Sequence, residues 1–475
     1  MGVVGGLAVA LFGTCFGVHI ARAADAAPQR RSVLALCLLA WSAATVSGAV
    51  ASGFYSLLFS RIMVGVGEAG AIPISLAILA DAYPQERRSF AMSVYYMGLQ
   101  AGIIVGLFLG GWVGESAIGW RGAFAITGAP GLGLAALVYF RLREPPRGYG
   151  DRVTPAAGAQ AEECDEHAGL LPPTIKPGSV EGHVVAPPRP ARVPFKAQMR
   201  VLFKCNTFVC ALLGAAFNLF TAIGTFFFLV PLCERRFGTS SGVVGTALSG
   251  VSACSVVLLL FCRSSHPSSH ARPIPPSLLC APVVFGAAST LASGMWADAA
   301  HARASATGAP PNPGPYALLP AASCLLSLPF GVATCAAPSF AATVLLFLPQ
   351  TAAANVPSSP LHCLISTLVP PHSRAAANSV LEVGVGLAGG LGPFFVGAVS
   401  RALQRSGLSE GDALQRAMIT VQFGMLPAAW FLWRASVHAA ADLKASQSGE
   451  MWASIAPPPP DEGTEMAGAA PTHDA

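Results

Sequence analysis

The chain is 475 residues long, 53% hydrophobic and only 11% charged, with a formal net charge of +5. A soluble domain carries about 25% charged residues, so a soluble fold is excluded: the polar skin needed to cover this much apolar surface is missing. The positive excess is spread over short loops, which argues against a nucleic-acid partner. The twelve cysteines are scattered, several inside apolar runs, with no Cys-x-x-Cys and no Cys/His metal spacing. They read as small buried hydrophobes, and no metal or other cofactor is expected.

Lipid offers the backbone no hydrogen bonds, so spanning segments must be helices or closed barrels. Long apolar runs, rather than alternating strands of about ten residues, select helices. Each crossing needs about 20 apolar residues. Runs near 1–20, 33–51, 56–80, 89–113 and 119–140 predict an N-terminal helical bundle over residues 1–140. Residues 141–197 are polar and rich in proline, and read as a mostly flexible linker. Runs near 205–232, 241–262, 277–297, 316–336, 340–368, 375–399 and 415–436 predict a second bundle over 198–436. The tail, 437–475, holds Pro457 to Pro460 and is expected to be disordered and cytosolic.

Charge sets the orientation. Arg22, Arg30 and Arg31 follow the first run, Arg87 and Arg88 the third, and Arg141, Arg143 and Arg147 the fifth. The positive-inside rule puts these loops in the cytosol and the amino terminus of this chain on the far side. Residues 1–20 lack the leading positive charge of a signal peptide and read as a span.

Three features carry chemistry. In residues 17–31, opening at Gly17, a carboxylate at a helix end, Asp25, is followed by the pair Arg30 and Arg31, which suits either an inter-helix charge lock or ordinary topogenic charge. Next, Arg61 and Glu68 are seven residues apart, nearly two turns, on one helix face and about 10 Å from each other. Charge inside a span is costly unless it faces a polar cavity or a partner. An intramembrane carboxylate can take up a proton, so Glu68 reads as a cavity residue, with a structural ion pair as the bland alternative. The same stretch contains Gly65-Val66-Gly67-Glu68-Ala69-Gly70, a literal GxGxxG. It lies mid-span rather than at a strand-to-helix turn, so helix packing is the better reading. Third, Gly98, Gly102, Gly106 and Gly110 recur every four residues, a smooth stripe that a helix or a substrate could approach closely. No HExxH, GxSxG or GxxxxGK[ST] is present, so no enzyme chemistry is indicated.

Together these features resemble the major facilitator superfamily. Residues 17–31 are similar to its loop motif between spans two and three, and the glycine stripe to the fifth-span motif of its antiporters. The Spinster-like branch is closer still. It is resembled by Arg61-Ile62-Met63-Val64-Gly65-Val66-Gly67-Glu68-Ala69, by Asp81-Ala82-Tyr83-Pro84 with Arg87 and Arg88, by Gly119-Trp120-Arg121 with Phe124, and by Arg143-Glu144-Pro145-Pro146-Arg147-Gly148. In the second half, Leu326-Ser327-Leu328-Pro329-Phe330 and Val369-Pro370-Pro371-His372-Ser373-Arg374 with Ala377 also fit.

The resemblance implies an all-α membrane protein of two six-helix bundles around a central cavity, worked by rocking one half against the other. It implies a multi-pass protein of an endosomal, lysosomal or plasma membrane, and a secondary transporter of a lysophospholipid or sphingolipid-like amphiphile, proton-coupled. A polar small molecule or drug is the alternative substrate, and a non-transporting or truncated membrane protein the third reading. Implied partners are the substrate, protons and membrane lipids. By the same resemblance Arg61, Glu68, Gln350 and Asn355 belong to the cavity, with Gln350 standing where a tenth-span glutamate is expected. Asp25, Arg30, Arg31 and Asp298, the last in a second copy of the loop motif, belong to a cytosolic gate. Two departures are expected. The chain opens at what resembles the second span, and residues 251–281, carrying the polar run from Arg263 to His270, interrupt span eight as an insertion, in the manner of a retained intron.

Overall fold

A computed structural model describes residues 19–25, 27, 29–114, 117–152, 195–239, 244, 281–306, 313–448 and 450–453. Among these, all regular structure is helical. Gly17 and the expected insertion, except for Ala281, lie outside the described residues, and Gly110 is described only as part of its helix.

The first half comprises α1 (Arg30–Ser47), α2 (Phe54–Ala82), α3 (Gln85–Gly114) and α4 (Gly119–Arg141), with residues 19–25 helical before them. The expected linker is helical at its two described ends, as α5 (Tyr149–Arg152) and α6 (Phe195–Leu202). The second half comprises α7 (Asn206–Phe237), α8 (Ala281–Ala306), α9 (Pro315–Ala336), α10 (Phe340–Asn355), α11 (Ser358–Leu368), α12 (Arg374–Arg405), α13 (Glu410–Gln422) and α14 (Met425–Gln447), then a last turn, α15 (Glu450–Ala453). Among the described residues seven stretches, 30–50, 54–82, 119–141, 206–237, 315–336, 340–368 and 371–405, are each long and apolar enough to cross a bilayer. The protein is thus a multi-pass membrane protein.

Two runs that read as single spans are broken. Residues 340–368 divide into α10 and α11 at Val356–Pro357, because a proline has no N–H for the helical ladder. Residues 415–436 divide at Phe423–Gly424, where the chain passes so close to α7 that a Cβ on Gly424 would lie 2.4 Å from Thr221 Oγ1. The second segment does not end at 436. The α14 helix runs on to Gln447, with Ala439 and Leu443 buried, and Asp442 accepts the Thr207 N–H at 2.8 Å, capping the start of α7. The first residues of the expected disordered tail are therefore folded, because the start of α7 needs an acceptor.

Glycine packing is real but sits elsewhere than expected. A Cβ on Gly67 would come within 2.7 Å of the Trp41 backbone, and one on Gly70 within 2.8 Å of Cys37 Sγ, so the glycines around Glu68 seat α2 on α1. By contrast, a Cβ on Gly98, Gly102 or Gly106 would meet nothing within 4 Å. At these three positions the stripe meets no other helix among the described residues. The α3 helix meets α8 through its first turns instead, where Gly294 abuts Ser89 and Ser93. The described cysteines are all free, and all but Cys210 are buried, as small hydrophobes would be.

Candidate functional site

The two halves close upon each other at the arginine-rich face. Ala21 and Ala77 of the first half meet Ala375 of the second, all fully buried. Small side chains let the backbones approach there, and around them lies a network of charge.

Its centre is Asp81, at the end of α2. One of its oxygens accepts Arg374 Nη1 of α12 at 2.6 Å and the Gly148 N–H at 3.1 Å; the other accepts Arg30 Nη1. Gly148 has φ +69°, a left-handed conformation that glycine adopts without strain, and so its N–H can point at Asp81. Arg374 Nη2 then reaches Asp151 of α5 at 2.6 Å, and Asp151 accepts Arg88 Nη2 at 2.7 Å. Arg30 also donates to the Pro371 carbonyl at 2.8 Å, and the Ala376 N–H donates to Asp25 at 3.0 Å. Arg147 donates to the backbone carbonyls of Ala24, Asp25 and Ala27. Buried charge is tolerated only when paired and hydrogen-bonded, and this network supplies both.

The carboxylates outside the spans respond to this setting. Burial raises Asp25 to about 6, with Arg30, the Ala376 N–H and Arg147 pulling the other way. Burial would also raise Asp151, but Arg88 and Arg374 outweigh it and hold its carboxyl below the ordinary range. A second latch sits beside the first. Asp298 of α8 accepts the Phe90 N–H at 2.7 Å and the Ser89 N–H at 3.2 Å, and the Tyr316 hydroxyl donates to it.

Deeper in, a polar cluster bridges the halves. Glu68 lies halfway along α2, which packs against α12, the helix that carries Glu382. The Tyr96 hydroxyl donates to Glu382 at 3.2 Å, and His362 Nε2 of α11 lies 3.1 Å from the same carboxylate. Further along, Gln100 of α3 donates to Asn355 at the end of α10, whose amide donates to the Thr351 carbonyl at 2.8 Å.

A family model described as Major Facilitator Superfamily matches residues 1–310. The chain belongs to the Major Facilitator Superfamily. Among curated superfamily relatives, an MFS-type efflux pump of Mycolicibacterium smegmatis is 36% identical over 139 residues, 29% of this chain and 32% of that protein. Human protein spinster homolog 1 is 36% identical over 116 residues, 24% of this chain and 22% of that one. The probable sphingolipid transporter spinster homolog 1 of Arabidopsis thaliana is 26% identical over 183 residues, 37% and 35% of the two chains. The matched stretch thus spans about a third or less of each relative's length. Among solved superfamily structures, a bacterial homologue of the human lysosomal transporter Spinster, inward-facing and unoccupied, aligns with a TM-score of 0.52 at 24% identity, covering 94% of this chain and 90% of that one. The human organic anion transporter MFSD10 aligns with a TM-score of 0.60 at 16% identity, covering 90% and 83%. At such identities the likeness is one of fold.

Asp25, Arg30 and Asp298 all sit in contacts between the halves. Arg31 does not: its backbone N–H donates to Glu144 and its guanidinium to Gln29 and the Leu142 carbonyl, all within the first half. Arg61 and Glu68 share a helix face but touch different neighbours. The Arg61 guanidinium lies 4.4 Å over the Phe124 ring of α4 and bonds Ser60, also within the first half. Asn355 lies at the junction of the halves. Gln350 does not; it is buried inside the second half, donating to Gln422 at 3.2 Å, which donates in turn to Thr225. Five residues along a helix turn a side chain by about 140°, so Gln350 and Asn355 point in different directions from α10. Sequence reasoning missed the roles of Asp81, Arg88, Arg147 and Arg374, although each lies in a quoted motif. It also missed His362 and Glu382, for which the signal was ionisable residues within apolar runs.

Proposed function

We propose that this chain is a secondary transporter of a lipid-like amphiphile, working by alternating access with protons as the coupling ion. The observation that carries this reading is the charge network at one face: Arg374 of the second half shares Asp81 and Asp151 with Arg30 and Arg88 of the first, beside an apolar contact between the halves. Such a closure can open by exchanging ion-pair partners, which is what rocking one bundle against the other requires.

The substrate class rests on the names of relatives and on one further feature. The Arabidopsis relative carries the name of a sphingolipid transporter. Between α8, α9 and α10 lies an open groove of about 570 Å³, lined by Leu319, Leu326, Leu345 and Leu348 with Ser289 and Ser323 as its polar members. It reaches Val356, next to Asn355, and suits an acyl chain better than a polar solute. Glu68 is the proton-carrying group of the first half in this reading.

The test is uptake by proteoliposomes containing the full chain, with a labelled lysophospholipid, a sphingoid base and a polar organic anion, each with and without a proton gradient. Gradient-driven uptake of an amphiphile, lost in Glu68→Gln, is expected. Uptake of the polar anion alone would replace the substrate class. A Glu68→Gln protein that still responds to the gradient would remove Glu68 from the coupling.

A further inference from the structure

The hydrogen-bond chain around His362 fixes where its protons are. The Arg374 carbonyl can only accept, so the Asn378 atom 2.9 Å from it is the amide nitrogen, which also donates to Ser366 Oγ at 3.1 Å. The other end of that amide, the oxygen, therefore faces His362 Nδ1, at 2.8 Å. An amide oxygen cannot donate, so Nδ1 must carry a proton. On the opposite side of the ring, Nε2 lies 3.1 Å from Glu382 Oε1. A neutral imidazole with its proton on Nδ1 has a lone pair on Nε2. Facing an ionised carboxylate, it would put two lone pairs against each other at hydrogen-bond distance.

We infer that His362 and Glu382 together bind one proton, held between Nε2 and Oε1, in the conformation whose arginine-rich face is closed. Whether it is written as imidazolium with carboxylate or as neutral imidazole with carboxylic acid, the pair owns it. The Tyr96 hydroxyl, from the other half, donates to the same Oε1 at 3.2 Å, and its ring lies 5.5 Å from the imidazole. The titratable groups around the pair are Tyr96 of α3, which bonds Glu382, Tyr95 with its ring against that of Tyr96, and Glu68 on α2, the helix that packs on α12. His362 and Asn378 are buried, so the ring has little room to relieve the repulsion in place.

Loss of the proton forces the ring and the carboxylate apart. That strains the Asn378 contact, which hangs from the Arg374 backbone within the charge network, and the Tyr96 contact, which crosses between the halves. Proton release and opening of the arginine-rich face are therefore linked. The site gives the second half a proton carrier distinct from Glu68, and its link to transport rests on the reading above.

The test uses the full chain in detergent, with hydrogen–deuterium exchange at the start of α3 and around Arg374 followed across about pH 5 to 8, where histidine titrates, and corrected for intrinsic exchange. Wild type should lose protection at those segments about tenfold per pH unit above the midpoint, as one linked proton requires. Glu382→Gln should stay protected at every pH, because an amide nitrogen in the place of Oε1 donates one hydrogen to Nε2 and the other to the Tyr96 hydroxyl oxygen. His362→Gln should also lose the pH response; it carries the test if Glu382→Gln does not fold. Tyr96→Phe should keep the response with an altered midpoint. A Glu382→Gln or His362→Gln protein that follows the wild-type curve, or a wild type with no pH response, overturns the assignment. If Glu382→Gln abolishes the response while gradient-driven uptake is unchanged, the proton site stands and its part in coupling fails.

Discussion

Arg374 and Asp81, 293 residues apart and from opposite halves, meet at 2.6 Å with side chains only 3% and 1% exposed. Removing one partner of a buried pair costs about 3–5 kcal/mol when the other charge is left alone; here Asp81 keeps Arg30 and Arg374 keeps Asp151, so the cost falls to about 1.5–3 kcal/mol, that of hydrogen bonds to a charged group. Arg374→Ala should therefore lower the thermal stability of the detergent-solubilised protein by that order. Asp81→Asn should do the same, and the double variant should cost less than the sum. Strict additivity of the two losses would show that the pair is not coupled.

Asp151 makes the network acid-sensitive, and the sign follows from its depressed carboxyl. A group whose folded value lies below its ordinary 3.8 contributes stability that is present above that value and lost as pH falls through the folded one. The difference in melting temperature between wild type and Asp151→Asn should be constant near neutral pH and shrink toward zero below about pH 3.8. A difference that grows on acidification would contradict the pairing with Arg88 and Arg374. Asp151 is 38% exposed, so solvent screening keeps its share smaller than that of Asp81.

The two glycine runs should separate cleanly under substitution. Gly67→Ala places a methyl group against the Trp41 backbone at 2.7 Å, and backbone cannot give way cheaply. A loss of about 1–3 kcal/mol is expected. Gly102→Ala meets nothing within 4 Å and replaces a poor helix former, so it should be neutral or gain up to about 1 kcal/mol. Melting curves of the two variants check both.

Asp442 tests the folded extension of α14. Its carboxylate accepts the Thr207 N–H at 2.8 Å at the start of α7. Asp442→Ala should cost about 1 kcal/mol, the ordinary value of a lost N-cap acceptor. Truncation after residue 436 should cost more, since it also removes the buried Ala439 and Leu443. A truncated chain with unchanged stability would return this stretch to the tail.

The helical architecture was legible because hydropathy is a local signal. The described helices that match predicted spans lie close to the runs read from it, and the broken tenth span is marked by a visible proline, Pro357. The gate was legible in part. Asp25 and Arg30 stand in a recognisable motif, but no local pattern says that Asp81 is shared between Arg30 and Arg374, because that pairing exists only once α2 and α12 meet. Arg31 and Gln350 fit their expected roles by residue type, but each bonds within one half, and which way a helix turns a side chain is not written in its type. His362 and Glu382 were readable as ionisable groups inside apolar runs, yet their partnership depends on Asn378, a neutral residue that carries no signal of its own.

The latch at Asp298 has a consequence of its own. Its partners on α3 are the N–H groups of Ser89 and Phe90, which every residue except proline possesses. Sequence drift at positions 89 and 90 thus leaves those donors in place, while a change at Asp298 removes the acceptor outright. The α3 side of this hydrogen-bonded contact is thus written in backbone and the α8 side in one side chain, so loss of the acceptor can arise at Asp298 alone.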